Sequence, residues 1–119
     1  MDKNAPIGIF DSGVGGLTVA REVMRQLPDE RIVYFGDTAR LPYGTKSQDT
    51  VIRFSEQIMR FLRSKGVKAI VIACNTATSA AIGPLRAAFP DIPVIGIEPA
   101  LKPAVAHHRR VLVLATPLT

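Results

Sequence analysis

Five short apolar segments, each followed by a stretch of different character, constrain the fold of this chain more than any other feature. The apolar segments lie at residues 6–10, 31–35, 69–73, 93–97 and 110–114. Helices are predicted between them, at about residues 17–27, 47–66, 77–89 and 100–107. Strands that are apolar at nearly every position are typical of a parallel sheet that is covered on both faces. The sequence therefore predicts an α/β fold, an open parallel sheet of about five strands with helices on both faces, flavodoxin-like.

The length and the lone cysteine narrow the class of protein. A chain of 119 residues fits one domain, spanning residues 1–119. No apolar run reaches the roughly 18 residues of a membrane span, and no signal peptide follows the first residues. One cysteine excludes an intrachain disulfide and a multi-cysteine metal site. His107 and His108 are predicted to be surface residues. We therefore expect a cytoplasmic protein with no metal site and no membrane partner.

The net positive charge could indicate a protein that binds nucleic acid. The chain has 15 Lys and Arg against 10 Asp and Glu, a formal net charge of +5. Most of the basic residues are scattered, and the one dense group is Arg53, Arg60, Arg63, Lys65 and Lys68. Aromatic residues are few and Trp is absent, which disfavours a platform on which bases stack. The pattern favours a solvated helix face, and no nucleic-acid partner is expected.

The residues that follow the predicted strands indicate where a site would lie. In open parallel sheets, ligands bind beyond the carboxyl ends of the strands. Three carboxylates, a thiol and several small polar groups follow those ends: Asp11-Ser12, Gly36-Asp37, Cys74-Asn75-Thr76, Glu98 and Thr116. The sequence therefore predicts a functional site along this edge of the sheet.

The glycine-rich turn at residues 11–16 allows two interpretations. Such turns often hold a phosphate on a helix N-terminus. However, the nucleotide-binding patterns G-x-G-x-x-G and G-x-x-x-x-G-K-[ST] are both absent, and Asp11 would repel a phosphate. A carboxylate here could accept a hydrogen bond from an ammonium group or orient a neighbouring acid or base. Alternatively, Gly15 and Gly16 serve close packing and Asp11 caps the helix.

Cys74 ends an apolar strand and precedes a predicted helix. A free cysteine is often inert filler in a core, but the positive end of a helix favours the thiolate form. Asn75 and Thr76 add hydrogen-bonding groups, so the position favours a reactive thiol. The loop Pro42-Tyr43-Gly44, with Thr45 and Lys46, could contact a ligand or be a plain turn.

Four segments together resemble the glutamate racemases of the aspartate/glutamate racemase family. They are G-I-F-D-S-G-V-G-G-L-T-V (8–19), G-D-T-A-R-L-P-Y-G-T-K (36–46), I-A-C-N-T-A-T-S-A (72–80) and P-V-I-G-I-E-P-A (93–100). The resemblance covers essentially the whole chain but only about the first half of the family's usual length. It implies that the chain is an N-terminal racemase domain, that this domain is incomplete, and that the family's second domain is absent from the chain.

The resemblance also implies a chemistry. The family interconverts L- and D-glutamate without a cofactor, by two cysteines on opposite faces of the α-carbon, and D-glutamate feeds peptidoglycan synthesis. Cys74 matches the first catalytic cysteine, and Asp11 matches a residue that assists the thiol and binds substrate. Positions that match the substrate-binding set are Ser12, Pro42, Tyr43, Gly44, Asn75, Thr76, Thr116 and Thr119. Glutamate is the implied partner, and a homodimer of the parent protein is compatible with the resemblance.

The chain departs from the family pattern in one respect. The second catalytic cysteine and the family's downstream Cys-Thr-His segment are not in it. We therefore expect these residues to form one wall of the site and to be inactive alone. Two alternatives remain open at this point: a flavodoxin-like module that binds a small ligand, and a racemase for a related amino acid such as aspartate.

Overall fold

A computed structural model describes residues 3–13, 15–97 and 110. The fifth predicted strand, apart from Arg110, and the predicted helix at 100–107 lie outside the described residues. The same holds for Glu98, Thr116 and Thr119.

The described residues form a parallel sheet of four strands that alternate with three helices. The strands are β1 (Ile7–Asp11), β2 (Ile32–Gly36), β3 (Ala69–Ile72) and β4 (Val94–Gly96). The helices are α1 (Leu17–Gln26), α2 (Gln48–Ser64) and α3 (Asn75–Ala88). Two short 3₁₀ turns, Thr38–Arg40 and Tyr43–Thr45, lie between β2 and α2.

The strand order across the sheet is β2-β1-β3-β4, and every neighbouring pair is parallel. These are the first four positions of the flavodoxin-like order, in which the chain reverses its direction of travel across the sheet between β1 and β3. The predicted α/β class is confirmed, with four strands described where about five were predicted.

The helices cover both faces of the sheet, as predicted. The larger core lies on the face covered by α2 and α3, and it includes Ile70 and Ile72 of β3. The smaller core lies on the α1 face, where Ile9 packs with Ala20. Val71 is also on this side, because successive residues of a strand point to opposite faces.

The ends of α2 follow the predicted signals. The Ser47 hydroxyl accepts a hydrogen bond from the Thr50 N–H at 3.2 Å, which caps the N-terminus. Gly66 follows the C-terminus with a φ of 75°, a conformation that L side chains rarely adopt.

One buried hydroxyl yields a stability prediction. Ser55 lies in α2 with none of its surface exposed, and its Oγ has no hydrogen-bond partner among the described residues. An unsatisfied buried group costs about 1–3 kcal/mol, and alanine is the better helix former. We expect Ser55→Ala to raise the free energy of unfolding by about 1 kcal/mol in urea denaturation. Ser64→Ala, which removes an exposed hydroxyl that donates to the Phe61 carbonyl, is the control and should change stability little, because the lost hydrogen bond offsets the better helix propensity of alanine. A clear loss of stability in Ser55→Ala would contradict the prediction.

Candidate active site

The end of β1 places a buried carboxylate against the start of α1. Asp11 is only 3% exposed, and its Oδ2 accepts hydrogen bonds from the Gly16 N–H at 2.6 Å and the Tyr34 hydroxyl at 2.8 Å. Gly16 is the N-cap of α1, where backbone N–H groups and the helix dipole favour a negative charge. Ser12, the next residue along the chain, is half-buried. The carboxylate therefore occupies a position that a bound phosphate would otherwise use.

The glycine turn has a packing role at one of its residues. A Cβ atom on Gly16 would lie 2.7 Å from the Ala73 Cβ and 2.8 Å from the Asp11 Oδ2. A Cβ on Gly15 would meet nothing within 4 Å. Close packing therefore accounts for Gly16, and it does not account for Gly15.

Cys74 lies at the junction of β3 and α3. It is the N-cap of α3, and its Sγ accepts a hydrogen bond from the Ala77 N–H at 3.4 Å. Its side chain is 9% exposed. The helix begins at Asn75, two residues earlier than predicted, so Asn75 and Thr76 are in its first turn. The thiol therefore lies at the N-terminus of α3, where one backbone N–H of the first turn donates to the sulfur.

The register of the sheet brings these two ends together. Phe10 of β1 pairs with Ile72 of β3, and the Ala73 N–H donates to the Phe10 carbonyl at 2.7 Å. Asp11, the last residue of β1, and Cys74, which follows β3, therefore lie at nearly the same level of the sheet. They flank the point between β1 and β3 at which the strand order reverses, and this is where flavodoxin-like folds bind their ligands.

The loop after β2 is built around a second buried carboxylate. The Asp37 Oδ2 accepts a hydrogen bond from the Arg40 Nε at 2.7 Å and another from the Tyr43 hydroxyl. The Tyr43 ring is 2% exposed and packs on Phe10 and Phe54, with ring centroids 6.3 and 5.9 Å apart. This loop is therefore fixed by its own side chains. The sequence predicts Asp37 at this edge of the sheet, but it predicts neither of the two hydrogen bonds that Asp37 accepts.

The flanking residues of this loop are more accessible. Pro42 is exposed and follows a cis peptide bond from Leu41, and Gly44 is half-buried. At the start of α3, Asn75 is exposed, whereas Thr76 is buried, with 6% of its surface exposed. The described residues of the predicted site thus follow β1, β2 and β3 at the same edge of the sheet, and Thr116 and Thr119 lie outside the described residues.

Tyr34 was not singled out by the sequence. It lies inside an apolar strand, where an aromatic residue is unremarkable, and only its contact with Asp11 sets it apart. Burial raises the pKa of Tyr34, and the hydrogen bond to Asp11 and its negative charge raise it further. Burial likewise raises the pKa of Tyr43, with further contributions from Asp37.

These two phenols give a pH prediction, because they are the only tyrosines of the chain. A phenol with a raised pKa in the folded state stabilises the fold fully below its unfolded pKa of about 10, and this contribution is lost as pH rises further. We expect absorbance at 295 nm to show almost no tyrosinate at pH 10.5 in the folded chain, and roughly half-ionised tyrosines or more in denaturant. Above pH 10, the free energy of unfolding should fall with pH in both wild type and Tyr43→Phe. The slope should be shallower in Tyr43→Phe by about 1.4 kcal/mol per pH unit. Equal slopes would contradict the burial of this hydroxyl.

Residues 3–13, 15–97 and 110 contain neither a candidate metal site nor a membrane-spanning helix. No group of three or more His, Cys, Asp or Glu side chains there could hold a metal ion. No helix in the same ranges has the length and apolar character needed to cross a membrane.

Comparison with known proteins gives a consistent set of relatives. The chain is 57% identical to a glutamate racemase of Clostridium novyi over 96% of the chain and 45% of that protein. It is 55% identical to one of Bifidobacterium adolescentis over 100% of the chain and 47% of that protein. The chain thus spans about half the length of the curated relatives it matches.

Solved structures agree with these relatives. A Thermus thermophilus glutamate racemase in complex with β-chloro-D-alanine superposes with a TM-score of 0.81 at 55% identity, over 87% of this chain and 41% of that one. A Francisella tularensis glutamate racemase in complex with D-glutamate gives 0.75 at 52% identity, over 78% of this chain and 35% of that one. The sequence model of the Asp/Glu/Hydantoin racemase family matches residues 10–119. The chain therefore belongs to the Asp/Glu/Hydantoin racemase family.

Proposed function

We propose that this chain is the N-terminal domain of a glutamate racemase that interconverts L- and D-glutamate by proton transfer between two thiols, without a cofactor. The observation that carries the proposal is the position of Asp11 and Cys74 at the ends of the neighbouring strands β1 and β3, where the strand order reverses. The relatives support glutamate as substrate, since one solved neighbour holds D-glutamate. In this proposal the chain supplies one wall of the active site, and D-glutamate is made for peptidoglycan.

Cys74 is the base for D-glutamate in this mechanism. Its thiolate takes the α-proton from one face of the substrate, and a second thiol, outside this chain, delivers a proton to the opposite face. The Ala77 N–H, which donates to Sγ, stabilises negative charge on the sulfur before the proton is taken. The proton moves from carbon to sulfur and the electron pair stays on the α-carbon, so the carbanion must be stabilised by donors around its carboxylate.

Asp11 is the partner for the substrate ammonium group and assists the thiol. Its Oδ2 already accepts the Gly16 N–H, and a carboxylate in this position disfavours a phosphate at the same helix end. A nucleotide-binding module is therefore the weaker alternative.

The remaining proposed contacts hold the two substrate carboxylates and the ammonium group. Small polar side chains and loop backbone supply them: Ser12, Pro42, Tyr43, Gly44, Asn75, Thr76, Thr116 and Thr119. The single proton of the Tyr43 hydroxyl is donated to Asp37. Tyr43 therefore contributes through its backbone rather than as a hydroxyl donor, while its buried ring fixes the loop.

The test uses the full-length form, in which this chain is continued by the portion that its relatives have beyond the match. Circular dichroism should follow the loss of optical activity of D-glutamate, with D-aspartate as the matched substrate. Racemisation of glutamate at a much higher kcat/KM supports the proposal, and a preference for aspartate would reassign the substrate. Absence of both activities in folded protein would overturn it. The proposal also places the enzyme in the cytoplasm, as a homodimer in its full-length form.

A further inference from the structure

We propose that Tyr34 is a positioning residue that holds the Asp11 carboxylate in the orientation that racemisation needs. The inference rests on the proposed function, because Asp11 meets a substrate only if the site handles an amino acid. Tyr34 lies on β2 and Asp11 ends β1, so the two residues are joined across neighbouring strands.

The hydroxyl of Tyr34 has two acceptors within reach. It lies 2.8 Å from the Asp11 Oδ2 and 3.2 Å from the Gly13 carbonyl oxygen. A phenol has a single proton to donate, and a carboxylate is the stronger acceptor. The shorter distance agrees with this preference. The proton is therefore donated to Asp11, and the Gly13 contact is secondary.

Two donors from different parts of the fold converge on one carboxylate oxygen. The Gly16 N–H approaches the Oδ2 at 2.6 Å from the start of α1, and the Tyr34 hydroxyl approaches it from β2. A single hydrogen bond would leave the carboxylate free to turn, whereas two from different directions fix its rotation. The other oxygen, Oδ1, takes part in neither bond and is left for a substrate ammonium group or a neighbouring thiol.

The ring and the hydroxyl of Tyr34 have separable roles. The ring packs against the small core on the α1 face, together with Ile32 and Val23. Phenylalanine would keep this packing and remove only the hydroxyl. A hydroxyl that served stability alone would change the unfolding midpoint and leave catalysis unaltered, so kinetics can distinguish the two roles.

The first experiment is a double-mutant cycle on the full-length form. We expect Tyr34→Phe to lower kcat on the order of tenfold and to change KM for D-glutamate much less. In an Asp11→Ala background the same substitution should cause no further loss, because Tyr34 acts through Asp11. Should Asp11→Ala fail to fold, Asp11→Asn takes its place, and the loss from Tyr34→Phe should then be clearly smaller than in wild type. Unchanged kcat, or an equal loss in both backgrounds, would overturn the proposal.

A second readout does not depend on activity. Carbon NMR of labelled tyrosine can follow the ionisation of Tyr34, whose signal is assigned by its disappearance in Tyr34→Phe. Removing the negative charge in Asp11→Asn should lower the pKa of Tyr34 relative to wild type. An unmoved titration would show that the two groups do not interact and would overturn the proposal. If wild type does not racemise glutamate but the titration moves, the contact stands while the proposed function and the catalytic role of Tyr34 fail together.

Discussion

Replacing Cys74 by serine is expected to lower turnover of D-glutamate by at least about a thousandfold in the full-length form. A positioned general base contributes roughly 10²- to 10⁴-fold to a rate, and a hydroxyl is a far weaker acid than a thiol, so it cannot supply the base as a thiolate does. Serine is nearly isosteric with cysteine, and its Oγ can accept the Ala77 N–H that now reaches the sulfur. The fold and the affinity for D-glutamate should therefore change little.

The measurement pairs kinetics with binding. Circular dichroism gives the rate of racemisation, calorimetry gives the affinity for D-glutamate, and thermal unfolding reports the fold. Ser79→Ala is a suitable control, because Ser79 is an exposed residue farther along the same helix, and it should leave all three quantities close to wild type. Activity of Cys74→Ser within a few-fold of wild type would remove Cys74 from the mechanism.

The position of the candidate site was predictable because all strands of a parallel sheet end at the same edge. Once residues 6–10 and 69–73 are identified as strands of one parallel sheet, the residues after them must lie at one edge of that sheet. Asp11 and Cys74 were placed there without knowledge of the strand order. The strand order itself was not predicted, because hydrophobic periodicity indicates burial and says little about which strands are neighbours.

The hydrogen bonds within the site were not predictable in the same way. Tyr34 reaches Asp11 across 23 positions of sequence, and nothing in an apolar strand distinguishes a tyrosine that packs from one that also donates. Asp37 and Tyr43 are only six positions apart, but they meet through the path of an irregular loop. Such contacts depend on loop geometry, and residue spacing alone does not determine it.

The glycine turn allows a sharper test of how the site is held together. A Cβ on Gly16 would lie 2.7 Å from the Ala73 Cβ, which is attached directly to the backbone and cannot swing away. It would also lie 2.8 Å from the Asp11 Oδ2. We expect Gly16→Ala to lower the free energy of unfolding by about 2–3 kcal/mol, because the start of α1 must move away from the end of β3 to admit the methyl group. The same displacement would move Asp11 relative to Cys74, and kcat in the full-length form should fall on the order of a hundredfold.

Gly15→Ala is the matched control for this prediction, since it adds the same methyl group one position earlier. That methyl group would meet nothing within 4 Å, and the φ of Gly15 is not in the left-handed region. Alanine also restricts the unfolded chain more than glycine does, so Gly15→Ala should leave the free energy of unfolding unchanged or raise it by up to about 1 kcal/mol. Chemical denaturation gives the free energy of unfolding of both variants. The difference between them reports the cost of the close contact at Gly16, because both variants lose a glycine. Equal stability of the two variants would mean that the contact between the start of α1 and the end of β3 tolerates the extra volume, and the packing explanation for Gly16 would then be wrong.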